Sequence, residues 1–294
     1  MDKIGIDLGG TKIELVILNK GQQEIYRKRI PTQQENGYQA ILGKIEQLYQ
    51  EALSAINHQS HTLGMGIPGA ISAKTRLVKN ANTQCLNGKP LKEDIEALLK
   101  HPVAVQNDAN CFTLAEALLG AGRGKRIVFG VIMGTGCGGG IAIDGRVHSG
   151  MQGIAGEWGH IQIDPAGPKC YCGKRGCVET YISGGGLQKI YQGRFGESVS
   201  VQEIVAGFRN CEPSASMVFN EFLGHFGIAL SNVIDILDPD IVVLGGGLSN
   251  IEELYTLGRE EVSKLIFSDG LETPIVKNKL GDSAGVLGAA MIGI

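Results

Sequence analysis

The hydrophobic pattern of the chain changes period several times, and each change predicts an element. Residues 4–18 read IGIDLGGTKIELVIL, two short apolar runs joined by a glycine-rich turn. Closely spaced apolar residues on either side of such a turn predict a pair of strands. Residues 129–143 read FGVIMGTGCGGGIAI and repeat the pattern at a constant offset of 125. Gly5 matches Gly130, Gly9 matches Gly134, Ile6 and Leu8 match Val131 and Met133, and Val16 and Leu18 match Ile141 and Ile143. Both copies run out in polar turn residues, Asn19-Lys20-Gly21 and Asp144-Gly145-Arg146. The repeat predicts a duplicated domain whose two glycine turns face each other across a cleft. The plainer alternative is a chance likeness between two hairpins.

Elsewhere the period lengthens. Ile41, Ile45, Leu48, Ala52, Leu53 and Ile56 follow helical spacing, as do Phe219, Phe222, Leu223, Phe226, Leu230, Val233, Ile234 and Leu237. The second of these helices is apolar around much of its circumference, which predicts burial, and Pro239 ends it. Leu63–Ile67 and Ile241–Leu244 read as strands closing in Pro68-Gly69 and in Gly245-Gly246-Gly247. Strands alternating with helices predict an α/β fold, a mixed sheet covered by helices. Segment 194–216 has the weakest pattern and reads as a surface excursion.

Composition narrows the reading. A length of 294 residues suits two domains at roughly 100–200 residues each, or one large one. The formal charge of −3 gives no general attraction for nucleic acid or anionic membrane, so any bound anion needs a local site. No run of about 18 apolar residues is seen and no secretory signal precedes Ile4, so no membrane partner and a cytoplasmic location are expected. The 44 glycines exceed the roughly 20 that average usage gives, and they cluster at the ends of apolar runs, where tight turns and close backbone approach are needed.

Three constellations carry chemistry. Asp7-Leu8-Gly9-Gly10-Thr11-Lys12 combines backbone N–H groups that can approach phosphate, a lysine, and a carboxylate suited to hydrated Mg²⁺. Gly134-Thr135-Gly136-Cys137-Gly138-Gly139 matches G-x-G-x-x-G, but the residues after it read as a strand where a dinucleotide site needs a helix. No G-x-x-x-x-G-K-[ST] occurs, so the chain is not a P-loop protein. His160, Cys170, Cys172 and Cys177 form H-x9-C-x-C-x4-C, a set suited to a closed tetrahedral structural zinc site. Asn107-Asp108-Ala109-Asn110 follows an apolar run and opens a helical one. Asp108 there is either the helix N-cap or a base facing a ligand crevice, able to accept a proton from an attacking hydroxyl. Glu157 and Glu179 flank the cysteine cluster and suit recognition of vicinal hydroxyls.

The order of these motifs, with Gly66-Ile67-Pro68-Gly69, Glu157-Trp158-Gly159-His160 and Cys170-Tyr171-Cys172-Gly173-Lys174-Arg175-Gly176-Cys177-Val178-Glu179, resembles the ROK sugar kinases (repressor, ORF, kinase) along the whole chain. The resemblance implies the actin-like ATPase fold, a duplicated ribonuclease H-like α/β architecture of two domains with an interdomain cleft. Here it implies residues 1–118, completed by a C-terminal helix at 282–294, and a larger domain at 119–281 with the zinc loop. It implies transfer of the γ-phosphate of ATP to a sugar hydroxyl, usually at C6. Asp108 would be the general base. Gly69, Asn80, Asn82, Asn107, Glu157, His160 and Glu179 would bind the sugar, with His160 serving zinc and sugar through different ring nitrogens. Asp7, Gly9, Gly10, Thr11, Lys12, Gly134, Thr135, Gly136, Gly246 and Gly247 would bind nucleotide. Cys137, where a small or apolar residue often stands, departs mildly from the family pattern.

Asn80-Ala81-Asn82, Leu86-Asn87-Gly88 and Cys170–Lys174 look closest to bacterial fructokinases with mannokinase activity. The expected activity is therefore ATP-dependent phosphorylation of fructose, and of mannose, to the 6-phosphate. N-acetylglucosamine or N-acetylmannosamine kinase is the alternative. A sugar-responsive repressor is a remote one, since the first strand begins at Lys3 and the chain has no basic excess. The cofactors implied are ATP, Mg²⁺ and structural Zn²⁺. The partners implied are a small sugar and a second copy of the chain in a homodimer.

Overall fold

The computed structural model describes residues 1–293. In chain order the elements are β1 (Asp2–Leu8), β2 (Lys12–Leu18), β3 (Glu24–Pro31), α1 (Gly37–Ala55), β4 (His61–Ile67), the short strands β5 (Ala70–Ile71) and β6 (Val78–Lys79), α2 (Leu91–Leu99), β7 (Ala104–Asn107) and α3 (Asp108–Leu118). There follow β8 (Ile127–Met133), β9 (Cys137–Ile143), β10 (Arg146–Val147), α4 (Glu179–Ile182), α5 (Gly184–Phe195), α6 (Val201–Arg209), α7 (Pro213–Leu237), β11 (Ile241–Gly245), α8 (Leu257–Ser263), β12 (Ile275–Lys277) and α9 (Ala284–Ile292). The chain forms two compact units. Unit 1 comprises 1–116, 149–154 and 282–294, and unit 2 comprises 117–148 and 155–281.

Unit 1 is built on a sheet of order β3-β2-β1-β4-β7. β1 pairs antiparallel with β2 and parallel with β4. Alternation along β1 sends Ile4, Ile6 and Leu8 to one face, where Ile13, Leu15, Ile17, Leu63 and Met65 join them. The helical stripes of α1 (Ile41, Ile45, Leu48) and α2 (Leu91, Ile95, Leu99) cover that face. On the other face Val16 and Leu18 pack against Val286 and Ala290 of α9. Gly5 and Gly64 are cross-strand partners on this face. A Cβ at either would run into the α9 backbone, so the missing side chains allow the helix to lie directly on the sheet.

Unit 2 repeats the topology in the order β10-β9-β8-β11-β12, again with two antiparallel pairings followed by two parallel ones. The internal repeat therefore corresponds to two equivalent sheets, and β9 follows the second glycine turn as a strand. The core of unit 2 is α7, whose Phe219, Phe222, Phe226 and Leu230 pack with Phe129, Val131, Val242 and Leu244. By length and composition α7 could cross a bilayer, but those apolar side chains are buried in the unit. It stops where Asp238 turns left-handed ahead of Pro239. Segment 194–216 is not a surface excursion. It contains α6, opened by a capping box in which Ser200 and Glu203 satisfy each other's backbone N–H groups, and Ile204 and Val205 are core residues.

Candidate functional site

In unit 1 the strand register aligns one row of residues across the whole sheet: Gln106, Gly66, Asp7, Glu14 and Arg29. Two carboxylates thus stand opposite each other at the first glycine turn. They are treated differently. Glu14 is fully buried but surrounded by cations, with Arg29 at 2.8 Å, Arg27 at 3.1 Å and Lys12 at 3.7 Å. Three positive groups compensate its burial, as a buried carboxylate requires. Asp7 lies against Gly66 and Gly285, with Cys111 also packed on Gly66, and among the described residues it has no ion-pair partner of its own. Burial first, and then the charge of Asp108, push its carboxyl up to about 7, against the opposing pull of Lys12. A perturbed acid beside a glycine turn makes Asp7 a candidate functional group.

The remaining unit 1 residues gather around this turn. Gly9 N–H donates to the Lys12 carbonyl at 2.9 Å, and Thr32 ties the turn down by donating to the Gly9 carbonyl. Thr11 is exposed. Gly10 abuts Thr83, next to the exposed Asn80 and Asn82. Asn107 donates to the Gly69 carbonyl at 2.9 Å, and Gly69 is seated on the backbone of Lys79 and Ala81. The helix beginning at Asp108 takes its cap from Asn107, whose Oδ1 accepts from Ala109 N–H at 2.9 Å. Asp108 is therefore the first helical residue and not the N-cap, though its own Oδ1 also accepts from Ala109. Its charge acts on Asp7.

In unit 2 the second turn, Gly134–Gly136, closes with Gly134 N–H donating to the Gly136 carbonyl. The carbonyls of Gly134 and Thr135 accept from Gly184 and Gly185 at the start of α5. Gly246 has φ +77, and a Cβ there would strike the Met133 carbonyl, so only glycine fits beside this turn. Gly134, Thr135 and Gly247 line a cavity of about 590 Å³ walled by Val201, Val205, Leu248 and Ile251, with Gln202 and Asn250 as polar groups. Those walls were missed in the sequence, although Ser200-Val201-Gln202-Glu203 carries the capping-box signal that would have placed the helix.

Beside this cavity stands the cysteine loop. The Cys172 and Cys177 sulfurs are 3.6 Å apart, and Cys170 Sγ lies 3.6 Å from His160 Nδ1. All four candidate ligand atoms fall within 4.8 Å of one another. Tetrahedral zinc with ordinary bond lengths needs S···S and S···N edges of about 3.8 and 3.6 Å, so the donor set fits that ion. His160 Nε2 points away from the sulfurs and bonds Tyr171 Oη at 2.9 Å. Glu179 opens α4 and accepts from Cys137 N–H at 2.9 Å, while Glu157 precedes the short turn that carries His160. Glu179, Thr135, Cys170 and Tyr171 share a second cavity of about 700 Å³.

Each unit by itself places a glycine turn beside a carboxylate and a polar loop. A family model described as the ROK family matches residues 3–293. The chain belongs to the ROK family. It is a sugar kinase of that family with the actin-like two-domain α/β fold. The N-acetyl-D-glucosamine kinase of Pasteurella multocida is 38% identical, with 99% of this chain and 98% of that one aligned. Further full-length relatives at 36% and 37% identity carry the same name. Among solved structures, a ROK hexokinase from Thermus thermophilus is similar at a TM-score of 0.88 and 29% identity, covering 100% of this chain and 98% of that chain. A ROK family glucokinase from Streptomyces griseus, solved with glucose and AMPPNP, is similar at 0.78 and 27%, covering 100% and 99%. The full-length likeness to N-acetylglucosamine kinases overturns the expectation of a fructokinase. That expectation rested on three short motifs, whereas the comparison weighs the whole ROK chain.

Proposed function

We propose that this ROK kinase transfers the γ-phosphate of ATP to N-acetylglucosamine. The observation that carries the reading is the 36–38% identity, over essentially the whole chain, to kinases of that sugar. Unit 1 contributes the proton acceptor and part of the sugar site. Asp108 accepts the proton of the attacking sugar hydroxyl as that oxygen bonds to phosphorus, while Asn107, Gly69, Asn80 and Asn82 orient the sugar. Gly9, Gly10, Thr11 and Lys12 present N–H groups and a positive charge to phosphate. Asp7 suits hydrated Mg²⁺, whose charge would offset the burial that now favours the protonated carboxyl.

Unit 2 contributes hydroxyl recognition through Glu157, His160 and Glu179, and nucleotide binding through Gly134, Thr135, Gly136, Gly246 and Gly247. The apolar walls of the 590 Å³ cavity suit a flat nucleoside base. Zinc held by His160 Nδ1, Cys170, Cys172 and Cys177 would supply rigidity alone, since four protein ligands leave no open position. A coupled assay with ATP and Mg²⁺ over N-acetylglucosamine, N-acetylmannosamine, glucose and mannose tests the substrate. The highest kcat/KM is expected for N-acetylglucosamine, and a clear preference for another sugar would sink the assignment.

A further inference from the structure

One neighbour of His160 has no part in the site so far. Tyr171 stands between two candidate zinc-ligand cysteines, yet the residue is 75% exposed. It folds back so that Oη lies 2.9 Å from His160 Nε2, with the two rings edge-on at 5.0 Å and 90°. So exposed a ring has little burial to hold it, and the hydrogen bond to the imidazole is its anchor. His160 Nδ1 faces Cys170, so a metal-bound imidazole carries its proton on Nε2 and donates to the phenol oxygen. That N–H is the only donor the ring offers outside the cysteine cluster. Tyr171 lines the same 700 Å³ cavity as Glu179, a residue assigned to the sugar.

We propose that the Tyr171 hydroxyl holds the place of a sugar hydroxyl. In the sugar-free enzyme it accepts the His160 Nε2–H bond, and the incoming sugar takes over that bond while the phenol swings into solvent. The inference rests on the assignment of His160 to the sugar. Tyr171 is then a positioning residue: it keeps the imidazole aimed and its donor satisfied, and it competes with substrate for one hydrogen bond.

The test is the exposed, conservative variant Tyr171→Phe, which keeps the ring and removes the acceptor. Sugar binding without nucleotide can be read from the fluorescence of Trp158, the single tryptophan, buried two residues from His160. Loss of a competing neutral hydrogen bond should tighten binding roughly 2- to 12-fold. KM should fall by a similar factor, with kcat within about twofold, because the step touches ground-state binding only. Weaker or unchanged binding would overturn the proposal, as would loss of zinc from the variant, which would make Tyr171 purely structural. Each sugar of the panel is titrated against both proteins. If another sugar binds in place of N-acetylglucosamine, the substrate assignment fails, and the variant-to-wild-type ratio for that sugar still judges Tyr171.

Discussion

Between Leu8 and Ile13 the first glycine turn spans four residues and stands beside Asp7, Lys12, Glu14, Arg27 and Arg29. Between Met133 and Cys137 the second spans three, and neither flanking strand carries a charged side chain. The two sheets share one topology, so the difference is local. At the first turn a row of opposed charges is set by register across three strands, leaving one acid perturbed and the other neutralised. At the second the turn is backbone closed on backbone, and a carboxylate, Glu179, arrives from helix α4 to accept from Cys137 N–H. Duplication supplied two equivalent turns. Charge placement is what sets them apart.

Four substitutions can break or sharpen this contrast. The largest effect is expected at Asp108. Asp108→Asn should lower kcat about 10²–10⁴-fold while sugar binding by Trp158 fluorescence persists. A loss under tenfold would remove the proton-accepting role from the unit 1 side. Next comes Gly246→Ala, which combines a left-handed backbone with a collision against the Met133 carbonyl. It should cost about 1–3 kcal/mol in urea unfolding, and native-like stability would show that the second turn tolerates side chains.

The third effect is a pH dependence at Asp7. Its carboxyl titrates near 7 when folded against 3.8 when unfolded, so between these values the native state holds a proton that the unfolded chain has released. Stability from this group is greatest below about 4 and declines as pH rises to about 7. Wild-type protein should therefore lose stability relative to Asp7→Asn over that range in unfolding titrations. A constant difference between the two would contradict the perturbed acid. The smallest effect is at Gly134, where an added Cβ meets nothing within 4 Å. Gly134→Ala should change stability by no more than about 0.5 kcal/mol, measured beside Gly246→Ala in the same urea series.

What could be read from sequence was local. The 125-residue repeat gave both hairpins, helical spacing gave α1 and α7, and the strand pattern after Gly136 excluded a dinucleotide site. The Cys and His spacing gave four atoms that do converge. Long-range pairing was hidden. Glu14, Arg27 and Arg29 look like ordinary strand charges until the β2–β3 register sets Glu14 opposite Arg29. Val201 and Val205 become cavity walls only because α6 packs on α7 behind Leu248 and Ile251. The fructokinase expectation rested on three short motifs, a small part of the length over which the N-acetylglucosamine kinases match.

The seating of α9 on Gly5 and Gly64 has a consequence for how the protein is made. The strands of the unit 1 sheet are complete by residue 107, yet the part of one face around Gly5, Val16 and Leu18 lacks its cover until residues 284–292 emerge. Unit 2 lies wholly between those two segments in the chain. At roughly 5–20 residues per second, translation from the end of the first segment to α9 takes on the order of ten to thirty seconds. Throughout that interval Val16 and Leu18 are exposed to solvent and to chaperones, while all of unit 2 becomes available to fold. That patch is thus closed only after unit 2 has been made, and truncation within α9 would leave it open.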